Sequence, residues 1–300
     1  MSDFRYRIVD VFTTRPLEGN ALAVFPDAAA MSPTMMQSVA RELNLAETAF
    51  VLPPERGGAA RVRIFTPTKE MLFAGHPTIG TSYVLTDEGR LPVGTSDFVL
   101  EEEIGPVPVR VEDMEGEARR MFWLRTPPIA WKQQYDRAVC ASVLGLALDD
   151  LLDIVPQRLT AGNPTIFIAA RSREAVDRAW LDMAGMRQLR DGEEELSCVF
   201  VFTPTAEGAY SRMFAPEYGI VEDPATGSST GPLAAYMMRH GLVSAADGTR
   251  FVSEQGTKMG RRSLLHVHIF GDGGEDGIDV GGAVVSLAEG TMHLPDPRGM

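Results

Sequence analysis

The sequence predicts an α+β chain built as two duplicated halves, and three observations carry that prediction. Two polar, glycine-bearing turns each lead from a strand into a helix, one at Phe73-Ala74-Gly75-His76-Pro77-Thr78 and one in the stretch 221–232. A series of five elements recurs in the same order along the chain. Between the two series stands Pro127-Pro128, which suits neither a helix interior nor a central strand.

The first half opens with a strand through Tyr6, Ile8, Val9 and Val11. After Gly19-Asn20 its neighbour runs from Ala21 to Phe25. Ser32 then caps a helix with Pro33 at its first position and Met35, Met36, Val39, Ala40 and Leu43 on one face, and Asn44 ends it. Leu45-Ala46-Glu47 links this helix to a β-branched and aromatic strand from Thr48 to Leu52, so Glu47 lies on a connection. A strand over 61–65 enters the Gly75 turn, and a helix opening at Pro77 carries Ile79, Tyr83, Val84 and Leu85. Strands near 97–101, 105–111 and 119–123 complete the half at about residue 126.

The second half repeats this order. A helix from Asp136 toward Leu152 and a strand over 154–159 precede Gly162-Asn163 and a strand at 165–169, echoing Gly19-Asn20 and its strand. Ser172 caps a helix with Ala175, Val176, Ala179, Trp180 and Met183 on its face, each 140 residues beyond its counterpart in the first half, as is the cap. Strands at 198–202 and 210–214 lead to the second turn, where Pro224 and Pro232 both suit a first helical position. Thr226, Ser228 and Ser229 offer hydroxyls there, and the helix stops at Gly241. Strands at 250–252, 264–270 and 283–287 follow.

A helix entered through small residues leaves backbone N–H groups and a positive dipole end for an anion, which makes each turn either a capped surface helix or a carboxylate site. Composition narrows the ligand. The 300-residue chain carries 41 acidic and 28 basic side chains, a formal charge of −13, which repels nucleic acid and anionic membranes. Hydrophobic residues at 44% suit a globular protein, and the N-terminus shows neither a signal peptide nor a span, so the expected setting is cytoplasmic. Cys140 and Cys198 fit buried thiols. His266 and His268 have no third ligand in view, the 271–277 loop lacks the calcium spacing, and no nucleotide loop is present, so no cofactor or metal is expected.

At Gly19-Asn20, Asn44-Leu45-Ala46-Glu47-Thr48, Phe73-Ala74-Gly75-His76-Pro77 and Glu222-Asp223-Pro224-Ala225-Thr226-Gly227-Ser228 the chain resembles the phenazine biosynthesis PhzF-like family. The similarity runs nearly end to end, taking in Arg63-Ile64-Phe65-Thr66-Pro67, Ser211-Arg212-Met213-Phe214 and Glu254-Gln255-Gly256. The resemblance implies the diaminopimelate epimerase-like fold: two pseudo-symmetric domains, each a curved, mostly antiparallel sheet around a central helix. Domain limits of 1–126 and 127–287 follow, with a last strand at about 288–300 returning to the first half. It also implies a homodimer.

Epimerases and racemases of that fold carry a cysteine at each helix entry. Here Ala74 occupies the first position and no cysteine lies in 221–232, so two-thiol racemisation is unsupported. What the resemblance implies instead is a cofactor-independent isomerase moving a proton and a double bond in a small cyclic amino or hydroxy acid such as trans-2,3-dihydro-3-hydroxyanthranilate. Glu47 would carry the proton, and His76 and Asp223 would assist or hold the amine and hydroxyl. Asn20, Gly75, Gly227 and Ser228 would bind substrate. Two departures, Ala46 for serine and Ala21 for proline, bear on substrate identity. Each site residue also has a structural reading: His76 as a cap, Asp223 as a turn acid, Glu47 as a surface carboxylate. A different small metabolite, or a non-catalytic binding or dimeric scaffold protein, is the alternative, and the environment of Glu47 discriminates.

Overall fold

In the computed structural model of the chain, residues 1–114, 120–190, 196–271 and 277–295 are described. The chain divides into two compact units, Met1–Arg125 with the segment from Gly281 onward, and Thr126–Val280. The return comes at Gly281, ahead of the expected 288. One strand, Ile278–Leu294, runs through the region read as ending at 287 and pairs antiparallel with the opening strand, from Ser2↔Leu294 to Val11↔Val284. Parts of two sequence expectations, residue 119 of one strand and the loop residues 272–276, lie outside the described residues, as does the chain after 295. No helix among the described residues is long and apolar enough to cross a membrane.

The first unit runs β1 (Ser2–Val11), β2 (Asn20–Phe25), α1 (Pro33–Leu43), β3 (Glu47–Leu52), β4 (Ala60–Phe65), β5 (Glu70–Met71), α2 (Gly75–Asp87), β6 (Asp97–Glu102), β7 (Gly105–Asp113) and β8 (Arg120–Arg125). β2 pairs antiparallel with β1 and parallel with β3; β4 pairs antiparallel with β3 and parallel with β6; β7 joins β6 to β8 by antiparallel pairing. The Ser32 hydroxyl accepts the Met35 N–H at 3.2 Å and Asn44 closes α1 in the left-handed region, as the sequence leads one to expect. α1 buries Met35, Met36, Val39 and Ala40 against Phe25, Phe50 and Phe65.

α2 is of another kind, buried on every side from Gly75 to Ser82 and contacted by β1, β2, β3 and β8. Small side chains permit this. A Cβ on Gly80 would stand 2.6 Å from Leu22 and 2.9 Å from Val11. Three of its side-chain hydroxyls bond back within the helix, Thr78 on Ala74 O, Ser82 on Thr78 O and Thr86 on Ser82 O. The helix opens at Gly75, two residues before the expected Pro77, because proline needs no N–H partner anywhere in the first turn.

The second unit runs β9 (Ala130–Gln134), α3 (Arg137–Val143), β10 (Gln157–Thr160), β11 (Thr165–Ala169), α4 (Arg173–Arg178), α5 (Met183–Arg190), β12 (Cys198–Thr205), β13 (Gly208–Ala215), β14 (Ile220–Asp223), α6 (Gly227–Arg239), β15 (Arg250–Gln255) and β16 (Ser263–Ile269). β11 and β12 are parallel, β12 and β13 antiparallel, β13 and β15 parallel, β15 and β16 antiparallel. α3, α4 and α5 bury Cys140, Val176, Met186 and Leu189 against Ile166, Val199 and Phe214.

Three helix expectations are corrected here. The helix from Asp136 stops at Val143, not Leu152, where the chain turns through Gly145 at φ +67°. The Ser172 helix ends at Arg178. The Ala179 N–H still bonds back to Ala175 O, but the Trp180 N–H bonds Leu144 O, and Asp182 then caps a fresh helix by accepting the Ala184 and Gly185 N–H groups. Trp180 and Met183, expected on its buried face, are accordingly 56% and 43% exposed. Pro232 lies inside α6 and not at its start; only its own missing N–H is lost to the helix, and the segment from Gly227 to Met237 is buried throughout.

Candidate active site

Around the entry of α2 the first unit assembles Asn20, Glu47, Gly75 and His76. Gly19 turns the chain at φ +69°, where a Cβ would meet Val11 O at 2.3 Å, and this delivers Asn20 as the first residue of β2. The Asn20 Nδ2 lies 3.2 Å from His76 Nδ1. An amide NH2 has only hydrogens to offer, so Nδ1 is the acceptor and the imidazole proton sits on Nε2. Glu47 opens β3, paired with Leu22, and its Oε2 lies 3.5 Å from that Nε2.

Burial decides the charge on this pair. His76 is 3% exposed and burial pushes its pKa down to about 3, so the ring is neutral at physiological pH and the contact is an imidazole N–H beside a carboxylate, not an ion pair. Glu47, with its side chain 12% exposed, is not a solvated surface acid. The Gly75 and His76 N–H groups stand at the free end of α2, while Pro77 contributes none.

At the entry of α6 the second unit assembles Asp223, Thr226, Gly227 and Ser228. Asp223 ends β14 and accepts the Thr226 hydroxyl at 2.5 Å. Gln255, fully buried on β15, holds both ends of this turn: its Nε2 donates to Asp223 O at 2.7 Å and Thr226 Oγ1 at 3.0 Å, and its Oε1 accepts the Thr226 N–H at 3.2 Å. Asn163 Nδ2 donates to Ser228 Oγ at 3.1 Å, so an asparagine after a positive-φ glycine holds the second residue of this helix, as Asn20 holds His76 in the other unit.

Each helix entry is also braced by a two-point arginine–glutamate pair whose glutamate lies five residues upstream of the helix's first residue. Arg63 donates through Nε and Nη2 to Glu70, both at 2.6 Å, and Arg212 through the same atoms to Glu222 at 2.9 and 2.8 Å. Arg212 further donates to the Val176, Asp177 and Ala179 carbonyls, tying the end of α4 to the turn. Reading the sequence did not single out Gln255, Asn163 or these pairs as site residues. Gly162-Asn163, Glu254-Gln255-Gly256 and both arginines were visible as motifs, but what each side chain grips is set by pairing across the unit. No group of three or more potential metal ligands occurs among the described residues.

Comparison with known proteins places this geometry in a family. The model of the PhzC-PhzF family, described as phenazine biosynthesis-like protein, matches residues 9–290. The chain is 35% identical over 295 residues to trans-2,3-dihydro-3-hydroxyanthranilate isomerase of Pseudomonas aeruginosa, covering 97% of this chain and 99% of that protein. Among solved structures it is similar to a predicted epimerase from Pseudomonas aeruginosa at 32% identity and TM-score 0.82, covering 97% and 100% of the two chains. A PhzF-family protein of Bacillus anthracis, 24% identical with TM-score 0.86 over 98% and 100%, shares the fold. The chain belongs to the PhzC-PhzF phenazine biosynthesis-like family and is an isomerase of that family.

Proposed function

We propose that this isomerase acts without a cofactor on a small cyclic amino or hydroxy acid such as trans-2,3-dihydro-3-hydroxyanthranilate, with Glu47 as the proton carrier. The observation that carries the reading is the Asn20–His76–Glu47 array, in which a neutral imidazole held in one tautomer has its Nε2 3.5 Å from a carboxylate oxygen. In the proposed reaction the Glu47 carboxylate takes a proton from one ring carbon, the electron pair of the broken C–H bond becomes a shifted double bond, and the proton returns from Glu47 to another carbon. Substrate and product have the same atoms and oxidation level. His76 steadies the carboxylate in both protonation states, and Asp223 holds the substrate amine or hydroxyl. The N–H groups of Gly75, His76, Gly227 and Ser228 take the carboxylate and the negative charge that develops.

The finer fold reading belongs with this proposal: two pseudo-symmetric domains of diaminopimelate epimerase-like fold, each a curved, mostly antiparallel sheet around a central helix. It is supported by the parallels within the units. Each passes from a parallel pair (β2–β3; β11–β12) to an antiparallel one (β3–β4; β12–β13) and a second parallel one (β4–β6; β13–β15). Each also contains one buried, glycine-started helix of 13 residues, α2 or α6. A homodimer in the cytoplasm is proposed with it; light scattering that returns only the 32.7 kDa monomer mass counts against the dimer. The activity is tested by offering trans-2,3-dihydro-3-hydroxyanthranilate in deuterated water. Depletion of substrate with label entering one carbon supports the reading, and an untouched substrate that nonetheless binds removes this compound from it.

A further inference from the structure

Beneath the first turn of α2 lies an acid that the proposed reaction does not use. Glu102, the last residue of β6, is 4% exposed. Its Oε1 is 2.5 Å from Thr78 Oγ1, and the same Thr78 oxygen is 2.8 Å from Ala74 O. A hydroxyl has one hydrogen, so it satisfies one of these short O···O contacts and leaves the other as two bare lone pairs. Both are satisfied when Thr78 donates to Ala74 O and receives a hydrogen from Glu102. Oε2 points the same way: it is buried with no close hydrogen-bond partner, and the Ala74 N–H acts on the carboxyl only weakly, a condition far costlier for a carboxylate oxygen than for the carbonyl of a neutral acid. Among the described residues no cation serves as a counter-charge to Glu102. Glu101, next along β6, is engaged by the Glu55, Arg56 and Gly58 N–H groups, Arg63 is held by Glu70, and His76 on the same helix is neutral.

We propose that Glu102 is a positioning residue that acts as the neutral acid, donating to Thr78 and so fixing the Ala74 carbonyl and the first turn of α2 for the anionic group of the substrate. The inference rests on the reading of the α2 entry as a carboxylate site. Burial raises the Glu102 pKa to about 8, against weaker opposing pulls from the Thr78 hydroxyl and the Ala74 N–H, so the acid form holds at neutral pH and is lost on the alkaline side. Ionised, Glu102 would put a full negative charge beside the positive end of α2, in competition with the substrate carboxylate. A buried charge at a helix end is worth up to about a 30-fold change in affinity, and a weakly coupled one about 2-fold.

Two measurements on the full chain test this. The first is a carboxyl carbon-13 NMR titration of wild type with Glu102→Gln as the assignment control. A neutral resonance at pH 7 that titrates near pH 8 is expected, and a carboxylate at pH 7 overturns the proposal. The second is calorimetric binding of 3-hydroxyanthranilate from pH 6.5 to 9.5. Wild type should weaken by about 2- to 30-fold across this range, while Glu102→Gln, whose amide still donates to Thr78, stays nearly flat. An equal alkaline fall in both proteins also overturns the proposal. The NMR titration needs neither substrate nor turnover, so it decides the protonation of Glu102 even where the isomerase reading fails.

Discussion

Gln255→Ala severs the brace of the second helix entry while leaving in place every residue proposed to contact substrate. The side chain makes three hydrogen bonds, to Asp223 O, Thr226 Oγ1 and the Thr226 N–H, and it is fully buried between β13 and β16. Three bonds at about 1 kcal/mol each, with a buried N–H left to find another acceptor, put the loss at about 3–5 kcal/mol. Urea denaturation followed by fluorescence and circular dichroism together measures it, since two units need not unfold in one step. The turn carrying Asp223 and Gly227 should loosen as well, so turnover falls in the variant even at temperatures where it is fully folded. Gln255→Glu should be worse than alanine, because it replaces the donating NH2 with a second oxygen facing Asp223 O. A Gln255→Ala protein within 1 kcal/mol of wild type with unchanged turnover would refute the idea that this side chain sets the turn.

Two further outcomes follow from His76. Asn20→Asp replaces a donor to Nδ1 with an acceptor, which draws the ring proton to Nδ1 and raises the imidazole pKa; nitrogen-15 shifts should report the altered tautomer, and turnover should fall about 10-fold or more. His76 is neutral when folded down to about pH 3 but titrates near 6.5 when unfolded, so the unfolded chain binds the extra proton between these values. Stability should therefore fall as pH drops from 6.5 toward 3, and His76→Gln should flatten that slope in pH-dependent denaturation; an unchanged slope contradicts the buried neutral ring.

The sequence was most legible where one local signal decides an element. Ser32, Pro33 and Asn44 bound α1 because caps act within a few residues, and the glycine-asparagine pairs marked the turns that deliver Asn20 and Asn163. Apolar spacing misled at 172–183. Periodicity there continues through Trp180, but Asp182 offers a new cap and Arg212, distant in sequence, gathers the carbonyls of the first helix end. Glu102 was illegible for a related reason: in the acidic run 101–103 nothing local separates the residue that turns under Thr78 from the neighbour that binds a loop. Glu47 and His76 could be named from motifs, whereas the tautomer linking them required the fold to bring in Asn20.

The central claim is that one carboxylate carries the proton, and the most direct test is turnover of Glu47→Gln beside its affinity for 3-hydroxyanthranilate. Glutamine keeps the shape of the side chain and its place 3.5 Å from His76 while losing the ability to accept a proton. With trans-2,3-dihydro-3-hydroxyanthranilate in deuterated water, kcat should fall by about 10²- to 10⁴-fold and label incorporation should fall with it, while the analogue binds within a few-fold of wild type. A Glu47→Gln enzyme that isomerises and labels the substrate at the wild-type rate would contradict the mechanism.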